Sequence, residues 1–375
     1  MIRRIAFPAF LLLACPAWAA SDAAGLVNRL SWGETAAGDT LNGHGAAAWL
    51  DQQLHPTDDD GLPPQVQAQI DAMEITSKPM VELASEVKDL QMQAKDAKGT
   101  DDAKMARKPF QEEMNSLERE AQTRSLLRDL YSRNQLKEQL TWFWFNHFNV
   151  HAKKGVIRAL VGDYEERAIR PHVLGKFRDL LTATLAHPAM IQYLDNQQNA
   201  VGHINENYAR EIMELHTMGV GSGYTQQDVQ ELARILTGVG VNLNPHRADF
   251  GPDNLVEFNP KRHDFGDKVF LGQAIQGRGL EEVAQAIDIL SRQPATARHV
   301  SMQLAQYFCC DAPSPALVNA MAATFLKSDG DISEVLRVLF RSAEFNASLG
   351  KKFKDPMHWT VSALRASFGD KVVVN

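Results

Sequence analysis

Within "NENYAREIMELHTMGVGSG" (residues 205–223), Asn207, Arg210, Glu211 and Glu214 are spaced so that on a helix they share about one third of the circumference. Two carboxylates and a guanidinium on one face suit acid–base chemistry. Glu211 or Glu214 would take a proton, and Arg210, with Asn207 beside it, would hold an anionic group. The same spacing also builds a plain solvated face, with Glu206–Arg210 and Arg210–Glu214 pairs one turn apart. Tyr208, Ile212 and Leu215 lie on the opposing side, with His216 near them.

A second group of polar residues sits among aromatics in "WFWFNHFNVH", Trp142 to His151. Leu136, Leu140, Phe143 and His147 form one helical stripe, so His147 points inward with the leucines. His147 and His151 have the spacing of two imidazoles sharing a metal, but no third ligand is near and the glutamate of a zincin helix is missing. The other reading of His147 is a core histidine hydrogen-bonded to a backbone or carboxylate oxygen. A third group is "FNPKRHDFGDKVFLG", where His263 and Asp264 supply either a proton shuttle and substrate contact or a polar surface turn. No Gly-x-Ser-x-Gly elbow, phosphate-cradling loop or dinucleotide fingerprint accompanies them. The sequence specifies no cofactor and no metal.

The elements that must position these residues are helical. Apolar residues recur at helical spacing nearly throughout, and alternation is confined to pieces such as "KVFLG". The expected fold is all-α: a multi-helix orthogonal bundle with a loop-rich insertion carrying at most a short β-hairpin. Asn134 is expected to cap the helix that carries His147, Thr225 and Asp228 to form a capping box, and Gly219 to stop the helix before it. Residues 63–124 are charged and sparse in large apolar side chains, and read as an arm of the single domain spanning 20–375, either long solvated helices broken at "KGTDD" or a partly mobile segment.

Residues 1–19 read as a signal peptide, with "MIRR", the apolar "IAFPAFLLLAC" and the small-residue site "AWA" before Ala20. The apolar run is too short to span a bilayer, so no transmembrane helix is expected in the mature chain. "LLAC" ending at Cys15 offers a lipoprotein box as the alternative anchor, and both readings place the mature protein in the periplasm or outside the cell. A net charge of −7 and no basic run interleaved with aromatics argue against nucleic acid. Cys309 and Cys310 are adjacent and read as small apolar residues on a helix, because neighbouring cysteines bridge only with strain.

"WFWFNHF", "NENYAREIMELHTMGVGSGYTQQDVQELARILTG" and "HDFGDKVFLG" resemble the motifs of the bacterial domain-of-unknown-function family 1800. "LVNRLSWG", "WLDQQLHP" and "KDPMHWTVSALRA" resemble it too. The resemblance implies an exported, mainly helical protein, often encoded beside a second exported family related to the sulfatase and alkaline-phosphatase superfamily. It implies no reaction. The family pattern runs past the "SALRA" helix, whereas this chain stops at Asn375, and it has no histidine at the place of His151. It asks for Asn207, Arg210, Glu211, Glu214 and His216 by type, which favours a functional cleft over a merely wet face. The expected cleft joins the His147 helix, the Asn207–His216 helix and the His263–Asp264 loop. It would serve a hydrolase or lyase acting on an envelope or extracellular substrate, with Glu211, Glu214, His147 and His216 as the catalytic candidates. The alternative is a non-catalytic partner or maturation factor for the exported protein encoded nearby.

Overall fold

The computed structural model describes residues 20–35, 41, 45–98, 103–244, 247, 255–369 and 371. The expected signal peptide, Cys15 and most of "KGTDD" lie outside them. Helices dominate the described elements, and no described helix is long and apolar enough to cross a membrane. Among the described residues, strands occur only within 239–275. Val239–Val241 pairs antiparallel with Val256–Phe258, and Lys268–Phe270 pairs with Gln273–Ile275 in a tight hairpin. The first pair reaches across the loop between residues 241 and 256 and comes in addition to the expected hairpin.

One hydrophobic core runs from Leu26 to Phe345 and takes in Leu136, Leu140, Phe143, Trp144 and Phe148. Burying each leucine of the Gln135–His147 helix contributes about 1.5–3 kcal/mol. The aromatic block is therefore core, and the Trp144 indole donates to the Val173 carbonyl at 3.1 Å so that its one polar atom is not stranded. The charged arm folds back onto this body. Leu83 and Val87 of the Met80–Asp96 helix and Met114 and Leu117 of the Ala103–Tyr131 helix bury together against Val156 and Ala159.

Asn134 stands at the N-cap position of the Gln135–His147 helix but does not cap it. Its amide instead donates to the Thr57 carbonyl at 3.0 Å and to Asp60 Oδ1 at 3.1 Å, tying down the loop before residue 61. That loop carries a buried ion triad. Arg170 donates to Glu138 Oε1 at 2.6 Å, to Glu138 Oε2 at 3.1 Å and to Asp60 Oδ2 at 2.6 Å. The capping box of the Gln226–Ile235 helix forms as the sequence predicts, with Thr225 and Asp228 satisfying each other's backbone N–H groups.

Candidate active site

The residues singled out in the sequence fall into three sets of partners. In the first, the Asn207–Glu211 helix widens into a π-helical turn over Ile212–Thr217, a distortion that often accompanies functional positions. The turn brings the His216 carbonyl within 3.1 Å of His147 Nε2. The rings of His216 and His299 each lie 6.2 Å from that of His147. Burial lowers the pKa of His147 to about 4 and that of His216 to about 3, so both imidazoles are neutral at ordinary pH. His151 is exposed, beyond the end of the helix.

The second set is a partly exposed network. Arg210 donates to Glu206 at 2.9 Å, to Gln226 at 2.9 Å and to Glu214 at 3.5 Å. Burial and the neighbouring Glu214 raise the pKa of Glu211. Asn207 is exposed, and its amide donates to the Leu194 carbonyl at 3.2 Å. In the third set the consecutive side chains diverge. His263 is sealed between the Thr237 carbonyl at 2.8 Å and Glu282 Oε1 at 3.1 Å, and Lys268 closes the far side of Glu282. Asp264 takes both arms of Arg234, at 2.8 and 3.2 Å.

The residues best arranged for chemistry lie elsewhere, around a cavity of about 400 Å³. Its walls come from both ends of the chain. Arg29 is on the Ala20–Leu30 helix, Gln139 on the Gln135–His147 helix, Tyr307 on the Pro294–Phe308 helix and His358 on the Pro356–Phe368 helix. The local sequence "DPMH" explains the geometry. Pro356 occupies the first helical position, and Asp355 caps the helix, its Oδ1 accepting from the Met357 N–H at 2.9 Å and the His358 N–H at 3.0 Å. One turn of helix then returns the His358 ring to the cap, with Nδ1 2.7 Å from Asp355 Oδ2.

His358 Nε2 lies 3.0 Å from the Tyr307 hydroxyl and 2.9 Å from Gln139 Oε1. The hydroxyl is also 2.8 Å from Gln139 Oε1, so its single proton can go to one acceptor or the other. Trp32 stacks on His358 at 4.4 Å and 25° and fixes the ring plane. Burial pushes the Asp355 carboxyl up, but hydrogen bonds from the His358 backbone and ring outweigh it and the pKa falls. Burial lowers the pKa of His358 against the pull of Asp355, and burial holds the Tyr307 phenol well above its ordinary value. The resting state that follows is an ionised Asp355, a neutral His358 with its proton on Nδ1, and a Tyr307 O–H donating to Nε2, a state in which Gln139 presents its amide N–H₂ rather than its oxygen to the hydroxyl and the imidazole.

Three cationic side chains, Arg29, Lys352 and Lys354, line the same cavity with the carboxylate of Asp355, and Lys352 is paired outside it with Asp311 at 2.9 Å. Burial and Arg29 lower the pKa of Lys354, whose ammonium donates to Ser362 at 2.8 Å. Gln139 is 1% exposed, and its Nε2 has no hydrogen-bond partner among the described residues. Turning the amide exchanges its two terminal atoms, so the N–H₂ gains the Tyr307 oxygen as an acceptor and the atom left without a partner is an oxygen.

A family model described as "Protein of unknown function (DUF1800)" matches residues 25–374. The chain belongs to the DUF1800 family. No curated protein and no solved structure matches it. The matched span takes in both chain ends that build the cavity of this DUF1800 protein. Its "LVNRLSWG" segment supplies Arg29 and Trp32, and "KDPMHWTVSALRA" supplies Lys354, Asp355 and His358. Sequence reasoning quoted both segments yet assigned them no chemistry. The available signal was the helix-start pattern Asp-Pro-x-His, in which a capping acid and a histidine three positions on must meet.

Proposed function

We propose that this DUF1800 protein is an exported lyase that acts on a carboxylate-bearing polymer of the envelope or the extracellular medium. The observation that carries the reading is the Asp355–His358–Tyr307 chain facing a cavity lined by Arg29, Lys352 and Lys354. The Arg29 and Lys354 charges would hold the substrate carboxylate and stabilise the enolate that forms when the neighbouring C–H proton is lost. The Tyr307 oxygen takes that proton as its own passes to His358 Nε2. The C–O bond at the next carbon then breaks, the departing oxygen takes a proton from Tyr307, and His358 returns its proton to the phenolate. The products are an alcohol and a conjugated unsaturated acid, with no outside reagent consumed.

Elimination is favoured over glycoside hydrolysis because the described cavity wall holds one carboxylate, whereas hydrolysis uses a pair. Phe353, 86% exposed on the rim, offers a flat apolar face to a sugar ring. In this reading Glu211 and Glu214 balance Arg210 on the surface, and His147 and His216 remain neutral interior groups.

The test is incubation of the purified protein with pectate, alginate and hyaluronan while following ultraviolet absorbance of the new conjugated double bond. Wild type should produce it on at least one polymer, and Tyr307→Phe should not, with its circular dichroism unchanged. Equal rates in wild type and Tyr307→Phe would refute the assignment, and release of reducing ends without absorbance would make the enzyme a hydrolase. A second reading, a non-catalytic partner of the exported protein encoded nearby, rests on Trp359, which is 66% exposed one residue from His358. It would be supported by co-purification that Trp359→Ala abolishes and Tyr307→Phe leaves intact.

A further inference from the structure

Behind the Arg29 wall of the cavity, the Pro294–Phe308 helix ends in the adjacent Cys309 and Cys310. The N–H groups of both residues reach the Ala305 carbonyl, at 2.8 and 3.3 Å, so the chain tightens there instead of continuing the helix. This turn gathers the two thiols with a carboxylate from 34 residues further along the chain. One atom each of Cys309, Cys310 and Glu344 lie within 4.8 Å of one another.

We propose that Cys309, Cys310 and Glu344 bind a divalent d¹⁰ cation of the zinc class, as two thiolates, one carboxylate and a fourth position open to solvent. The spacing fits. Ligands at about 2.3 Å for sulfur and about 2.0 Å for oxygen, held at a tetrahedral angle, stand about 3.5 Å apart. The observed Cys310 Sγ to Glu344 Oε1 distance is 3.7 Å.

Two further features support the site. The Glu344 carboxylate is held in place before any ion arrives, because Ser314 donates to it through its N–H at 2.8 Å and its hydroxyl at 2.6 Å. Arg29 stands behind the thiols, donating to the Phe308 and Cys309 carbonyls at 2.9 and 3.0 Å, and its charge offsets part of the excess negative charge of two thiolates and a carboxylate. Cys309 is buried while Cys310 and Glu344 are partly exposed, which gives the ion a way in on their side. Burial pushes the Cys309 thiol up to about 11, so binding has to release its proton, and that of Cys310, to the solvent.

The experiment is titration of the reduced full chain with Co(II), followed by Zn(II). One equivalent of Co(II) should give thiolate-to-cobalt charge-transfer bands and the intense visible bands of tetrahedral cobalt, and Zn(II) should abolish both. Cys310→Ser should lose most of the charge-transfer intensity. Glu344→Gln should keep that intensity but bind roughly tenfold more weakly or worse. Should either variant fold poorly by circular dichroism, alkylation of Cys310 in the wild type, blocked by Zn(II), reads the same site. Absence of charge transfer in wild type with both thiols reduced would overturn the proposal. So would unchanged affinity in folded Glu344→Gln, or a purified protein carrying a Cys309–Cys310 disulfide.

Discussion

Replacing Asp355 by Asn or by Ala separates the two tasks of one carboxylate. Oδ1 caps the Pro356–Phe368 helix through two backbone N–H groups, and Oδ2 fixes the tautomer of His358. Asn caps a helix as well as Asp does, so Asp355→Asn should cost only a few tenths of a kcal/mol. Its amide nitrogen, however, would stand where Oδ2 stood and donate to Nδ1. The proton of His358 would then move to Nε2, leaving no lone pair there for the Tyr307 hydroxyl. The elimination rate should fall by on the order of 10²–10⁴. Asp355→Ala loses the cap as well, about 1 kcal/mol, together with the contact to His358. The side chain of Asp355 is 50% exposed, so solvent screening limits that second loss to about 1 kcal/mol. Urea unfolding should therefore place Asp355→Ala about 2 kcal/mol below wild type and Asp355→Asn close to it, and imidazole ¹⁵N shifts report the tautomer directly. Wild-type turnover in Asp355→Asn would refute the relay, and equal destabilisation of the two variants would refute the division of labour.

Glu138→Gln should cost about 3–5 kcal/mol in urea unfolding, because it leaves Arg170 charged and buried without its main partner. Glu211→Gln, on a partly exposed face, should stay within about 0.5 kcal/mol of wild type, and a loss like that of Glu138→Gln would show a buried role for Glu211. The pKa values of His147 and His216 are depressed, so in that window the unfolded chain binds protons that the folded one refuses. Their stabilising share is complete above about 6.5, the unfolded value, and is lost as pH falls toward about 4 and 3. His216→Asn should flatten this acid limb, and an imidazole resonance of His216 already titrating near its ordinary pKa in the folded protein would contradict the burial argument. Gly219 has φ +86, and a Cβ there would meet His299 Nδ1 at 2.8 Å. Gly219→Ala should lose about 1–3 kcal/mol, and a neutral effect would mean that His299 is free to move.

Much of the fold was legible because periodicity is a local property. The Thr225–Asp228 box and the stop at Gly219 need only neighbouring residues to be read. Asn134 was misread because a side chain that can cap can equally reach another loop, and the competing acceptors at Thr57 and Asp60 are far off in sequence. The site was less legible for the same reason. Tyr307 meets Gln139 across 168 residues, and His358 meets Gln139 across 219. His263 and Asp264 attracted attention as neighbours, but consecutive side chains point apart, and theirs went to Glu282 and Arg234. The charged arm looked solvated because its apolar residues are few. Leu83, Val87, Met114 and Leu117 suffice to dock it when they share one seam.

The contacts that tie residues 29–33 to residues 348–365 bear on the order of assembly during synthesis. Arg29 reaches the Ser348 carbonyl across 319 residues, and Arg365 reaches the Gly33 carbonyl across 332. Contacts of such separation close late, after the local helical pairs between them have formed. The cavity is therefore expected to form after the local helical pairs, which pulsed hydrogen exchange during refolding would check. A nascent chain whose middle is already made still lacks His358 and Asp355, and loss of the segment that carries Arg29 would remove Leu26, Val27 and Leu30 from the core as well. An intact cavity would then report that two segments more than 300 residues apart have both been made and joined.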